Sequence, residues 1–300
     1  MIAKLGSAFA TCVFLLAGLA GQETRTPDPA SPSLASVLGS AREYCAKLER
    51  AAIDFVCVEE VEERLDLSLD DRFSLEERAR VATIRDPGTQ IDTRRRFVVR
   101  RNPKQKNTYL YDYQFVRREG QVEEKRVLLK KNGRKADPED LAPRLGAFNY
   151  SDVLLAPLRL LDQRFQAYYS YRIRGLDSIS GTDAWILEVV PRVKGAARYL
   201  GGRIWLKRDD SSVLRIEWDP ATFGHYEEII ARAESYKANP EVRSVTDFGF
   251  EKNGLRFPSS DLTEEAYREA DGKLFIRART QITYKDYKFF SVETSSTFKK

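Results

Sequence analysis

Residues 182–220, TDAWILEVVPRVKGAARYLGGRIWLKRDDSSVLRIEWDP, restrict the fold more than any other stretch of the chain. They hold three strand-like runs separated by turn signals. Ala184 to Val190 is stopped by Pro191, which cannot donate to a sheet ladder. Arg203 to Lys207 is entered through Gly201-Gly202, and Asp209-Asp210-Ser211-Ser212 turns the chain into Val213 to Trp218. In the last run Leu214, Ile216 and Trp218 alternate with Arg215 and Glu217. The pattern predicts an antiparallel meander with one apolar face.

The flanking sequence extends that meander. Leu34, Val37, Leu38, Ala41, Cys45, Leu48 and Ala52 predict one face of a helix that Ser33 caps and that runs to about Ala51. A strand, Asp54 to Leu65, follows. Residues 66–90 are polar and broken by Asp86-Pro87-Gly88, and read as a loop insertion in which Ser74 to Ala82 forms a short helix. Arg95 to Arg101, Thr108 to Arg117 and Val122 to Lys131 read as strands, the last two joined at Glu119-Gly120 and the series closed by Asn132-Gly133. Tyr109, Tyr111, Tyr113 and Phe115 form an aromatic stripe. After Ser151-Asp152, the run VLLAPLRLLDQRF predicts a helix apolar nearly all round, which must be buried on both sides or lie across an apolar opening. Strands return at Ala167 to Leu176. A turn-rich piece spans Asp219 to Pro240. Val242 to Lys252, Leu255 to Arg268 (joined at Asn253-Gly254), Lys273 to Tyr284 and Phe289 to Phe298 complete about eleven strands with two helices. The economical fold is mainly β (α+β): one large curved antiparallel sheet, with an N-terminal helix and a central apolar helix on its concave face.

The first twenty residues read as a signal peptide: Lys4, then an apolar run from Leu5 to Ala20, then a small-residue cleavage site at Gly18-Leu19-Ala20. Sixteen apolar residues fall short of the ~20 that a membrane span needs. Residues 21–33 are a proline-rich flexible leader, and residues 34–300 read as a single domain. With Cys12 removed alongside the signal, Cys45 and Cys57 both point into the contact between helix and strand. A disulfide there would close a short loop and contribute roughly 2–3 kcal/mol. Two buried free thiols are the alternative.

The tryptophan-bearing hairpins carry a resemblance. Trp185-x-Leu187 with Pro191, then Tyr199-x-Gly201-x-Arg203-Ile204-Trp205-Leu206, then Val213-Leu214-Arg215-Ile216-Glu217, resemble the core of the LolA/LolB lipoprotein-carrier superfamily. The leading helix-then-strand and the apolar helical segment before the central strands fit it too. The resemblance spans residues 34–300 as architecture and 182–220 as sequence. It implies an exported, periplasmic protein built as an unclosed half-barrel, with helices plugging a cavity for acyl chains. RseB-type periplasmic stress sensors share that shape. The insertion at 66–90 and the two cysteines depart from the simple carrier pattern. No residue here matches the carrier's lid-holding arginine.

Catalytic motifs are scarce. The single histidine, His225, would have to build a triad or a histidine metal site alone, and no G-x-S-x-G, H-E-x-x-H or phosphate-binding glycine loop is present. Glu59, Glu60, Glu62 and Glu63 alternate as on a solvated edge strand, with Glu60 and Glu62 on one face and Glu59 and Glu63 on the other. The reading is therefore of a non-enzyme with no catalytic, cofactor or metal residue; a hydrolase is the third choice. The proposed ligand wall is Trp185, Leu187, Leu214, Ile216, Trp218, Leu274, Ile276 and Ile282, with Leu154, Leu158 and Leu161 as the lid. Acyl chains of lipids or lipoproteins are the expected partners of a monomer, with transport or sorting at the outer membrane as its role. A sensing or protein-interaction module is the alternative. Between residues 94 and 135 there are 15 Lys/Arg and 4 Asp/Glu. This basic region reads first as a solvated strand face whose lysines and arginines discourage edge pairing; the alternative is a surface for anionic lipid headgroups or an acidic protein, with association at a membrane surface, rather than for nucleic acid, which an exported chain rarely meets.

Overall fold

A computed structural model describes residues 32–51, 54–70, 103–118, 121–136, 153–193 and 199–290. The predicted signal peptide, most of the leader, the helix at 74–82, the strand at 95–101 and the cap at Ser151-Asp152 lie outside these residues.

The architecture follows from strand pairing. Eleven antiparallel strands form one sheet in the order β4-β3-β2-β1-β13-β12-β9-β8-β7-β6-β5, which does not close on itself. The meander of the opening stretch supplies β6 (Thr182–Pro191), β7 (Gly202–Lys207) and β8 (Val213–Trp218), and β5 (Tyr169–Ile179) forms one sheet edge. β9 (Asn239–Asp247) and β12 (Ser260–Arg268) link the meander to the long β13 (Leu274–Phe290). β1 (Asp54–Asp66), β2 (Lys104–Arg118), β3 (Gln121–Lys131) and β4 (Arg134–Lys135) complete the sheet. At Asn132-Gly133 both residues take positive φ, the type I′ geometry that joins β3 to β4. Gly202 is needed for a different reason: a Cβ there would lie 2.1 Å from the Glu217 carbonyl oxygen on the paired strand.

Three covers close the concave side. α1 (Leu34–Arg50) buries Val37, Ala41, Tyr44, Cys45 and Leu48, as its periodicity predicts. A segment of short helices, comprising a 3-10 turn at Val153–Leu155, α2 (Ala156–Leu161) and α3 (Gln163–Gln166), packs beside it. A small hairpin of β10 (Phe250–Lys252) and β11 (Leu255–Phe257) pairs apart from the large sheet and buries Leu255 and Phe257. The residues read as two long strands about Asn253-Gly254 are thus each divided. Phe248 turns inward between β9 and β10, and Pro258-Ser259 separates β11 from β12.

A second cluster sits at another part of the sheet, under α4 (Tyr226–Tyr236), whose Ile229, Ala233 and Tyr236 meet Leu69 and Tyr267. This helix replaces part of the expected turn-rich piece. Its i, i+4, i+7 spacing is legible, with Glu227 and Glu228 in its first turn and Lys237 in the left-handed conformation at its end.

Several expectations are corrected. Cys45 and Cys57 are free, buried thiols rather than a disulfide. Cys45 donates to the Pro157 carbonyl at 3.6 Å, so it faces the short-helix segment, and Cys57 lies against Tyr287. β1 is a central strand and not a solvated edge, so Glu59 is fully buried. Leu214 does not share a face with Ile216. A bulge where β8 meets β7 sends it to the opposite side, with Ala184 and Trp205, while Val213 and Ile216 enter the main core. A second bulge, between Ala278 and Ile276 of β13, leaves Leu274 and Ile276 each 40% exposed and turns Phe275 toward the cluster under α4.

Candidate functional site

The segment Val153–Gln166 lies across the apolar half of the concave face. Its helices are short because the sequence interrupts them. Pro157 suits the first turn of α2, and Asp162 leaves helical geometry at ψ 142° while its carboxylate accepts from the Arg164 amide at 2.8 Å. Leu154, Leu158, Leu160 and Leu161 are all buried, in the same core as Leu187, Ile204, Leu206, Ile216 and Ile282. Trp185 and Trp218 are partly buried and pack at its margin. Of the eight residues read as a ligand wall, five therefore meet the three lid leucines in one cluster. Leu214, Leu274 and Ile276 do not.

Among the described residues, few side-chain hydrogen bonds to the plug's backbone hold it in place. The Tyr171 hydroxyl donates to the Leu160 carbonyl at 2.7 Å, and the Gln166 amide donates to the Leu161 carbonyl at 2.8 Å. Arg164 bridges Asp162 and Glu49 of α1, each at 2.8 Å, with its side chain 59% exposed. An ion pair so exposed contributes at most about 1 kcal/mol. Burial pushes the Cys45 and Cys57 thiols to about 12, so both stay protonated and unreactive near neutrality.

The rest of the concave face buries polar groups among its apolar ones. The Trp218 indole donates to Thr246 at 3.0 Å, and the Thr246 hydroxyl donates to Asp261 at 2.5 Å. Ser244 and Thr263 hydroxyls lie 3.2 Å apart on the same strands. Burial pushes the Asp261 carboxyl up to about 6; the Thr246 hydroxyl opposes this, and the charges of Asp247 and Glu59 reinforce it. Four strands from Asp261, Arg126 of β3 reaches over the Tyr113 ring, 4.6 Å from its centre, to bond both Glu59 oxygens at 2.8 and 3.3 Å. Burial raises the Glu59 carboxyl, and Arg126 opposes that shift. Tyr284 lies on this floor with its buried hydroxyl beside Glu59. Beneath α4, Glu265 accepts from Arg232 at 3.0 Å and from Tyr267 at 2.5 Å, and Arg277 approaches it at 3.4 Å. Arg277 also bonds Asp70, which in turn accepts from Tyr236.

These carboxylates are committed to structure. Glu59 and Glu265 each have arginine partners, and Asp261 is bound by the Thr246 and Thr263 hydroxyls. His225 precedes α4 and stacks on Phe223 at 5.9 Å. Among the described residues no group of three His, Cys, Asp or Glu is placed to hold a metal. No described helix is long and apolar enough to cross a membrane.

Sequence reasoning missed the Glu59–Arg126 pair and Asp261. Glu59 carried a signal, since it falls in phase with Phe55, Cys57 and Val61, all of them apolar. Arg126 carried none, because its partner lies 67 residues away.

No family model matches the chain, and no curated protein matches it. The structural comparisons give matches of low identity. A LolA superfamily protein from Nitrosomonas europaea is 9% identical, with 85% of this chain and 94% of that one covered at a TM-score of 0.33. A putative outer membrane lipoprotein-sorting protein domain from Vibrio parahaemolyticus is 11% identical, with 84% and 91% covered and a TM-score of 0.33. The Pseudomonas aeruginosa MucA/MucB complex contains a chain 12% identical, with 83% and 93% covered and a TM-score of 0.24. The chain is similar to LolA-superfamily and lipoprotein-sorting proteins, and to a chain of that complex.

Proposed function

We propose that this is an exported, periplasmic binding protein, residues 1–20 being its signal peptide and 34–300 a single half-barrel domain, that takes up acyl chains of lipids or lipoproteins on its concave face. The observation that carries the reading is the plug: buried leucines of Val153–Gln166 lie on a wall of Leu187, Ile216 and Ile282, and, among the described residues, few side-chain hydrogen bonds to the plug's backbone retain them. Displacing the segment would open an apolar surface of matching chemistry. Each methylene that replaces a leucine contact regains roughly 0.8 kcal/mol, so a ligand of about a dozen methylenes offsets the loss of the leucine contacts. The ligand acts by differential affinity for the open state. Trp185 and Trp218 flank the opening and supply an optical signal. The chemistry is partition and not catalysis, consistent with transport or sorting at the outer membrane.

A sensing or protein-interaction module is the second reading, favoured by one feature: the concave face is already filled by the chain's own leucines. Native mass spectrometry of protein purified from membrane-containing lysate separates the two. A bound lipid or acylated peptide, lost when Leu158→Asp is introduced, supports the carrier. A protein that stays empty when offered lipid sinks it.

A further inference from the structure

The edge formed by β3 and β4 differs in its charges from the strands beside it. On β1, β2 and β13 most of the exposed cations are compensated: Arg64 and Lys106 pair with Glu62, Lys104 with Asp66, and Lys285 with Glu60, while Lys288 makes no ion pair among the described residues. At the far edge Arg174 on β5 pairs with Glu188 and only Arg172 is exposed without an ion pair among the described residues, so no other strand gathers unpaired cations as this edge does. Lys125, Lys130, Lys131, Arg134 and Lys135 are all exposed, and among the described residues none of the five makes an ion pair. Lysine on an open strand commonly serves only to discourage edge pairing. That explanation does not cover this edge, because Val127 and Leu129 are also exposed, at 38% and 39%. Bare apolar residues would defeat the protective purpose. The register irregularity opposite Leu110 and Tyr111 falls at Leu129, the residue that the pairing skips. Lys130 and Gly133 stand on the rim of an outer-face groove of about 520 Å³. The groove's acids, Glu60 and Glu62, are already paired.

We propose that the β3–β4 edge docks on an anionic lipid surface, its cations on headgroup phosphates and Val127 and Leu129 at the boundary with the acyl chains. Cations beside a short apolar band match the two layers of such a surface. A nucleic acid would meet the same charges but gains nothing from bare aliphatic side chains, and an acidic protein would need acids matched to five unpaired cations. The inference is independent of the acyl-binding reading, since the plug belongs to another face.

Sedimentation of the full chain with phosphatidylcholine vesicles, with and without phosphatidylglycerol, tests it. Binding is expected only to the anionic vesicles and should weaken with added salt. The Lys130→Glu, Lys131→Glu, Lys135→Glu variant should bind at least a hundred-fold more weakly, since each cation near the surface is worth roughly five-fold. Val127→Ser with Leu129→Ser should bind more weakly at unchanged charge. An unchanged melting temperature would show that both variants remain folded. Equal binding to neutral vesicles, or undiminished binding by the charge-reversed variant, overturns the proposal. So does capture by a polyanion such as heparin with no binding to anionic vesicles. Loss of vesicle binding with bound acyl chains unchanged keeps this outcome separate from the carrier reading.

Discussion

The two halves of one concave face are built on opposite rules. Across β5 to β8 the inward residues are Tyr169, Leu187, Val189, Ile204, Leu206, Val213 and Ile216, covered by α1 and the leucine plug. Across β9, β12 and β1 they include Ser244, Thr246, Asp261, Thr263, Glu265 and Glu59, tied by directional hydrogen bonds and arginine pairs. Apolar contacts are non-directional and can be exchanged for any other apolar surface. Buried charge pairs cannot, because separating them strands a charge in a poor solvent. The polar half therefore behaves as a fixed frame and the plug half as the part able to yield.

The sharpest way to break this comparison is Arg126→Ala. It leaves Glu59 buried without its cation and should cost about 3–5 kcal/mol in denaturant unfolding. A loss below about 1 kcal/mol would show that the polar half is not a frame. Asp261 gives the next effect, and its sign is set by the raised carboxyl. A folded-state value of about 6 against 3.8 means that the proton stabilises the fold. That contribution is complete below about pH 4 and is lost as pH rises to about 6, at most about 3 kcal/mol. Asp261→Asn should therefore gain stability relative to the parent across that window and hold the gain above it. Melting curves at several pH values check this, and a constant difference would refute the assignment.

On the yielding side, Leu158→Ala should cost about 2 kcal/mol, at the low end for a buried leucine because a short surface helix can settle into the gap. Its amides in 153–166 should exchange faster while those of β12 and β13 stay protected. Uniform acceleration would mean that the plug and the sheet open together. The smallest effect belongs to Arg164→Ala, which removes the exposed clasp to Glu49. It should change global stability by less than about 1 kcal/mol and be visible in the exchange of α2 and α3.

Much of the architecture was legible because alternation and turn chemistry are local. The meander, the α1 face, the tyrosine stripe and the I′ turn at Asn132-Gly133 all follow from residues within a few positions of each other. The misreadings have one physical origin. Leu214, Leu274 and Ile276 alternate cleanly in sequence, but a bulge inserts one residue and reverses the faces beyond it. Nothing at those positions announces the bulge. The cysteines were correctly placed in one core, yet a shared core does not bring two sulfurs into bonding geometry. The shared burial of Leu154, Leu158 and Leu161 was legible because they lie close in sequence; the contact of Arg126 with Glu59 across the sheet was not.

The bulge in β13 also has a consequence for changes in chain length. One strand of 17 residues serves two packing regions, with Ile282 and Tyr284 in the main core and Phe275 beneath α4. The extra residue, Arg277, sets the phase between them. Deleting that single position would set Ile276 beside Ala278 in ordinary alternation, so Phe275 would stay inward, Leu274 and Ile276 outward, and the pairing with β12 would keep its register. What the deletion removes is the arginine that reaches Glu265 and Asp70, not the inside–outside code of the strand. Identity at this position is a stricter constraint on the chain than length.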